Sequence, residues 1–388
     1  MRRNGGEKLR RLFLIISLSL VVFASWSFLG KPVDQTGFHS AVEKIESEFK
    51  AIHDNPDFAA AIDTIHGGFT QLLGQFDKAL EQLPEAEQES EAEQIDKPTL
   101  TTPVEDVFTI HNIGLGDSKE DVEKQLGAAK RSSYNEYGIK WDTYHTNYQN
   151  FIMAAYDKNN KVAGLYTNQD LIASTQGLKK GSPKESVLQQ LGEPLTKIRK
   201  GMAYYQFEAN RDYEMFLIDG SYVTVFFDKH QNNTLTSIQI VSKGLEQNKK
   251  DFYTEGSKQL MEGLEYQLFD VTNATRVNHD LPILTWDNHV RGTARDHSTD
   301  MAENQYFNHT NPKGQSPFDR MKEDDVFFTV AGENLASGQF SSIFAHEGLM
   351  NSMGHRENIL KKDFERLGVG VAFDDKARPY YTENFYSK

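Results

Sequence analysis

A chain of 388 residues with 38% apolar and 11% aromatic side chains is long enough for two or three domains and apolar enough to give each a core. It contains no cysteine, which excludes disulfides and thiolate metal sites. Its formal charge of −14 lacks the basic footprint that nucleic-acid phosphates require, so no nucleic-acid partner is expected.

At the N-terminus Arg2, Arg3, Lys8, Arg10 and Arg11 precede an apolar run over residues 12–29. Positive charge ahead of a segment near the lower limit for spanning a bilayer marks residues 1–30 as a signal peptide or membrane anchor. Val22-Phe23-Ala24 offers small-residue spacing for a signal peptidase. The expected location is therefore the extracytoplasmic face of the cell membrane, or the exterior if the segment is cleaved. In residues 38–84, Val42, Ile45 and Phe49, then Ile62, Ile65, Phe69, Leu72 and Leu73, recur at helical spacing, with Asn55-Pro56 between them. This pattern predicts a stalk of two amphipathic helices. Residues 85–103 are rich in Glu, Gln and Ser and almost without apolar side chains, an acidic linker with too little to bury to offset its ordering entropy.

Residues 104–245 carry an internal repeat. Ile113-Gly114-Leu115-Gly116-Asp117-Ser118-Lys119-Glu120-Asp121-Val122 runs on to Gln125-Leu126-Gly127. Leu178-Lys179-Lys180-Gly181-Ser182-Pro183-Lys184-Glu185-Ser186-Val187 runs on to Gln190-Leu191-Gly192. Ser118 and Ser182 stand where they cap a helix, and Gly127 and Gly192 where they end one. Strand-like runs follow at residues 151–156 and 162–166 in the first copy and at 202–207, 222–227 and 235–241 in the second. Hairpin turns fit residues 157–161 and 228–233. A helix followed by an antiparallel meander, twice over, predicts an α+β domain. His111, His145 and His230 have no carboxylate at ligand spacing and read as solvated surface histidines. The arrangement resembles the CAP-associated N-terminal domain of bacterial exported proteins.

Residues 251–388 form the last domain. Helical spacing of Leu260, Leu264, Leu268 and Val271 predicts a long helix over residues 253–278. Asp287 caps a second helix carrying Val290, Ala294, His297, Met301 and Tyr306. A short helix starts at Pro317, residues 326–330 read as a strand entering a turn at Gly332-Glu333, and residues 343–353 are helical. Two strands follow at residues 367–373 and 380–386. Helices on a short antiparallel sheet make an α/β/α sandwich.

This domain resembles the CAP superfamily of cysteine-rich secretory proteins, antigen 5 and pathogenesis-related-1 proteins. The resemblance is carried by Asn273-Ala274-Thr275-Arg276, Asp296-His297-Ser298-Thr299, Tyr306-Phe307-Asn308-His309 and Gly332-Glu333-Asn334-Leu335-Ala336. It continues through Asn351-Ser352-Met353-Gly354-His355-Arg356-Glu357-Asn358, Leu367-Gly368-Val369-Gly370-Val371 and Tyr381-Thr382-Glu383-Asn384-Phe385. In that family two histidines and two acidic residues line a central cleft that can hold a divalent metal. Matched block by block, His309 and His355 take the histidine places and Glu333 the first acidic place. For the second acidic place the helix offers Glu347, although alignment on Asn351-Ser352 sets Ser352 nearer to it, and Leu349 stands where a tryptophan is common. The resemblance thus implies a cleft of His309, Glu333, His355 and Glu347, with zinc as the candidate ion on His309 and His355.

The residues alone also admit a plainer account, in which Glu333 ties down a turn and His355 braces a helix. His346-Glu347-Gly348-Leu349-Met350 is not HExxH, since Met350 stands at the second ligand position, so a zincin protease is excluded. The expected protein is a membrane-tethered surface protein that binds an apolar, lipid-like or envelope ligand, or a protein partner, without catalysis. The alternative is a weak metal-dependent hydrolase, a peptidase or nuclease, using the same cleft. A third arrangement has the repeat domain covering that cleft.

Overall fold

Nearly continuous apolar strands need cover on both faces of their sheet, and the first domain supplies it twice over. The computed structural model describes residues 95–104 and 106–388. The expected anchor, the helical stalk and most of the linker lie outside the described residues. Among the described residues no helix is long and apolar enough to cross a membrane.

The first domain opens with β1 (Phe108–Ile110), α1 (Lys119–Leu126), β2 (Arg131–Tyr134), β3 (Lys140–Thr146), β4 (Gln149–Tyr156), β5 (Val162–Thr167) and β6 (Ile172–Ser174). The second copy supplies α2 (Lys184–Leu191), β7 (Lys197–Lys200), β8 (Ala203–Gln206), β9 (Tyr213–Ile218), β10 (Ser221–Asp228) and β11 (Thr234–Ser242). Seven strands form one antiparallel sheet in the order β2-β3-β4-β5-β11-β10-β9, so the two copies join where β5 pairs with β11. On one face Ile152, Ala154, Leu165, Val223, Val225 and Ile238 pack under the two helices through Val122 and Val187. On the other, Trp141, Phe151, Met153, Ala155, Tyr166 and Phe226 join the core of the second domain. That double cover explains why β4 and β10 read as unbroken apolar runs rather than as alternating ones.

Ser118 caps α1 as expected, its side chain accepting from the Asp121 N–H at 3.1 Å. Ser182 does not cap α2: Pro183 is the N-cap residue, and the Ser182 hydroxyl accepts from the Lys179 N–H instead. Strands β2, β3 and β7 were not legible as strands, because Lys, Arg, Ser, Asp and Thr interrupt their apolar pattern; β9, interrupted only by Glu214, was missed without that reason. His145 is no solvated residue either. It stacks on Tyr148 at 4.0 Å between ring centroids, and burial lowers its pKa to about 4.

The second domain follows through α3 (Lys243–Asn248) and α4 (Lys258–Asn278). Then come β12 (Thr285–Trp286), α5 (Asn288–Asn304), α6 (Pro317–Glu323), β13 (Val330–Ser337), α7 (Ser342–Met350), α8 (Met353–Ile359), β14 (Arg366–Phe373) and β15 (Pro379–Ser387). The sheet order is β12-β14-β15-β13, antiparallel except for the β12–β14 pair. Leu367, Val369 and Val371 face the core shared with α4. Gly368 and Gly370, on the opposite side, let α5 lie against the strand; a Cβ on Gly370 would stand 2.1 Å from the Arg295 nitrogen. Helix, sheet and helix stack as expected, and the class is α+β.

Several boundaries moved. α4 starts at Lys258, where the Ser257 hydroxyl caps Leu260, rather than five residues earlier. α5 stops before Tyr306, because Gln305 adopts φ +55° in the left-handed region. The expected helix over 343–353 is two helices broken at Asn351-Ser352. Glu333 sits in the middle of β13, opposite Asn384, and not in a turn.

The two domains form a single compact unit, Ile95–Lys388, around α4. Leu260, Leu264 and Leu268 of that helix lie in one apolar cluster with Trp141, Phe151 and Met153 of the first domain. Polar groups fix the register. Asp270 accepts from Arg131 and Tyr148, both at 2.9 Å, and Gln267 donates to the Tyr134 carbonyl at 2.8 Å.

Candidate functional site

The loop that leaves α5, residues 305–316, has no regular secondary structure, so its position depends on side chains that reach it from the core. Buried His297 donates from Nε2 to the Asn308 carbonyl at 3.1 Å. Arg320, in α6, donates to the His309 carbonyl at 2.8 Å and to the Gln315 carbonyl at 3.1 Å. α6 itself is set by a capping box between Ser316 and Asp319, with Pro317 in its first turn. These bonds hold His309 over the middle of β13.

There His309 Nδ1 donates to Glu333 Oε1 at 2.9 Å, and Arg320 pairs with Glu333 Oε2 at 2.7 Å. The Glu333 carboxylate is buried, 1% exposed, while the His309 side chain is 48% exposed. With Nδ1 bound to a carboxylate, the neutral ring keeps its lone pair on Nε2, toward solvent. His355 rises from the first turn of α8, with its Nδ1 2.8 Å from the Ser352 hydroxyl. Burial lowers the His355 pKa, and the nearby His309 lowers it further. The structure therefore brings His309, Glu333 and His355 together.

Glu347 does not join them. Its carboxylate accepts from Tyr166 at 2.8 Å and Ser237 at 2.6 Å, both in the first domain, at the seam behind α7. Its place in the expected cleft is corrected accordingly: a helix that breaks at Asn351-Ser352 turns Glu347 one way and His355 another. The side-chain hydrogen-bond partners of His309, Glu333 and His355 all belong to the second domain. The first domain braces the cleft from outside, through an Arg356–Asp228 ion pair of 2.9 Å one residue after His355.

A buried amide and carboxylate layer lies beneath the histidines. Asn334 donates to the His355 carbonyl and to Glu383 Oε2, each at 3.1 Å, and Asn358 donates to Asn334 Oδ1 at 2.9 Å. Thr272 donates to Glu383 Oε1 at 3.0 Å. No cation pairs with Glu383 in that set, and burial raises its pKa to about 7, against which the Asn334 and Thr272 bonds act. The folded chain thus holds a proton that the unfolded chain, with Glu near 4.5, has lost, so this group's contribution to stability falls as pH rises through that window. Glu383→Gln cannot titrate. Its stability relative to wild type is expected to rise by up to about 1.4 kcal/mol per pH unit across the window and to level off above it. Urea unfolding at three pH values reads the trend, and a difference independent of pH would contradict it.

Arg320, Asn334 and Glu383 were not singled out from the sequence. Glu383 carried a signal, a carboxylate amid Tyr380, Tyr381, Thr382 and Phe385; Arg320 on its short helix carried none.

The donor set does not fit a resident zinc ion. Among the described residues no three His, Asp or Glu side chains come together to hold a metal. Both oxygens of Glu333 are engaged, one of them by a guanidinium that would repel a cation. What remains is Nε2 on each histidine, and zinc takes three or four protein ligands.

The model for CAP-associated N-terminal regions matches residues 115–252, and that for the cysteine-rich secretory protein family matches residues 269–385. An uncharacterized membrane protein of Bacillus subtilis, YlbC, is 31% identical over 293 residues, covering 71% of this chain and 82% of its own. A second uncharacterized protein of that organism, YkwD, is 37% identical over 124 residues, covering 32% of this chain and 47% of its own. The crystal structure of an extracellular protein containing an SCP domain, from Bacillus anthracis, aligns with a TM-score of 0.61 at 27% identity over 76% of this chain and 100% of its own. A cysteine-rich secretory protein of Staphylococcus aureus shares the fold, with a TM-score of 0.56 at 16% identity over 71% of this chain and 91% of its own.

Proposed function

Since this chain belongs to the cysteine-rich secretory protein (CAP) family, we propose that it is a cell-surface binding protein whose His309–Glu333–His355 cleft receives an apolar, lipid-like ligand. A fold does not fix chemistry, so the reading rests on the site. The observation that carries it is the state of Glu333, whose two oxygens are spent on His309 and Arg320 and are not available to a metal or a substrate proton. The floor of the cleft is polar, with Glu333, Asn334 and Glu383 buried in it. Its rim, by contrast, shows apolar surface: Phe307 and Met353, each two residues before one of the histidines, are each 52% exposed. Half-exposed large apolar side chains beside a hydrogen-bonding group suit a ligand with an apolar body and a polar head. A relative named as a membrane protein and an extracellular structural neighbour support a place at the cell surface.

The experiment is saturation of the full-length chain with a fluorescent fatty acid. Wild type is expected to bind it saturably. A Phe307→Ala/Met353→Ala double variant should bind at least about tenfold more weakly, a loss of about 1.4 kcal/mol. Absence of saturable binding to wild type removes the apolar reading.

One observation favours the second reading, hydrolysis. Fixing the proton on His309 Nδ1 leaves Nε2 as a base facing solvent. A peptidase or nuclease activity that vanishes in His309→Ala would establish that reading.

A further inference from the structure

Between the two domains lies a cavity of about 160 Å³. Asn168, Lys180 and Asp228 of the first domain line it, together with Thr275, His346 and Glu347 of the second. Neither domain makes it alone.

Three groups in it are incompletely satisfied. Asn168 is 4% exposed; its amide nitrogen donates to the Thr275 hydroxyl at 2.9 Å, while its Oδ1 has no hydrogen-bond partner. Lys180 spends one N–H on the Asn168 carbonyl at 2.8 Å, and an ammonium has three. Glu347 takes the Tyr166 and Ser237 hydroxyls on Oε1 alone, which leaves Oε2 to the cavity. Of the other ionisable groups that line it, burial holds His279 toward its neutral form, and two are already committed. Asp228 is paired with Arg356 at 2.9 Å, and His346 is bonded through Nε2 to the Thr275 hydroxyl at 2.6 Å. Burial holds His346 neutral, with a pKa of about 3.

The uncommitted charges are therefore one ammonium and one carboxylate, with an amide acceptor beside them. A cavity of about 150 Å³ takes benzene, a molecule of about six heavy atoms. We infer that this interdomain cavity is a binding site for a small zwitterion, a free amino acid of glycine or alanine size. Its carboxylate meets Lys180, and its ammonium group meets Glu347 Oε2 and Asn168 Oδ1. Burial has moved both partners toward neutrality, Lys180 down to about 8 and Glu347 up to about 7, and an opposite charge in the cavity reverses both effects. A ligand held by both domains also stabilises their docking by mass action. This site is separate from the histidine cleft, and nothing in it depends on what the cleft binds.

The test is calorimetric titration of the full-length chain with glycine and with alanine, each to about 10 mM, beside acetate and ethylammonium as single-charge halves. At least one of the two amino acids is expected to bind saturably, with each half at least about tenfold weaker. Lys180→Met and Glu347→Gln should each weaken binding at least about tenfold; the amide introduced by Glu347→Gln keeps an acceptor for Tyr166 and Ser237. Three results overturn the assignment: no binding of either amino acid, acetate or ethylammonium binding as well as the amino acids, or variants that bind like wild type. If a variant does not fold, the comparison of whole and half ligands on wild type decides alone.

Discussion

Arg320→Met is expected to destabilise the protein by about 3–5 kcal/mol, the range for removing one partner of a buried ion pair. The Glu333 carboxylate is 1% exposed, and its remaining partner, the His309 side chain, is 48% exposed. Without the guanidinium, the carboxylate must either stay charged with one hydrogen bond or take up a proton. The same substitution frees the His309 carbonyl, so the loop that carries the histidine loses its anchor. Adding Glu333→Gln to Arg320→Met removes the stranded charge and should restore part of the loss. Urea unfolding of the two single variants and the double variant forms a cycle that isolates the pair. An Arg320→Met loss below about 1 kcal/mol, the range of a surface ion pair, would show that Glu333 is not held this way.

Gly263→Ala carries an unusual sign. In the middle of a helix alanine is favoured over glycine by about 1 kcal/mol, so the substitution should stabilise α4 by its propensity. Here a Cβ would stand 1.9 Å from the Tyr134 carbonyl oxygen, a backbone atom of β2 in the first domain. No side chain can swing away to make room. The helix must lift from the sheet, which weakens the Gln267 bond to the same carbonyl and the Asp270 bonds to Arg131 and Tyr148. A net destabilisation of about 2–3 kcal/mol is expected, in the range for overpacking at a tight contact. Urea unfolding gives the value, and a neutral or stabilised variant would show that the domains do not rest on this approach.

Such close approaches mark where the sequence was silent. Leu260, Leu264 and Leu268 announced an amphipathic helix through their period, yet nothing in one sequence says that Gly263 faces a carbonyl from another domain. Periodicity reports that a face is buried and not what buries it. Thus β4 and β10 were legible as strands, whereas the reason for their unbroken apolar pattern became plain only when α4 and α7 covered their second face. His309, Glu333 and His355 were legible because each stands in a motif of the family. Arg320 was not, since an arginine on a short capped helix has the pattern of a solvated residue. Glu347 shows the limit of placement by position along a helix. A break at Asn351-Ser352 sends it to the domain seam, where Tyr166 and Ser237 satisfy it. Those partners lie 181 and 110 residues away in sequence, and local spacing does not encode them.

With both Glu333 oxygens engaged by His309 and Arg320, the proposed role of the cleft is that of a binding surface and not of a metal centre. Calorimetric titration of the full-length chain with zinc, beside a His309→Ala/His355→Ala double variant, tests this most directly. No saturable binding tighter than about 10 µM is expected, with the same trace for the wild type and the variant. A single tight site present in the wild type and absent in the variant would contradict it, and would return Glu333 to the role of a metal ligand.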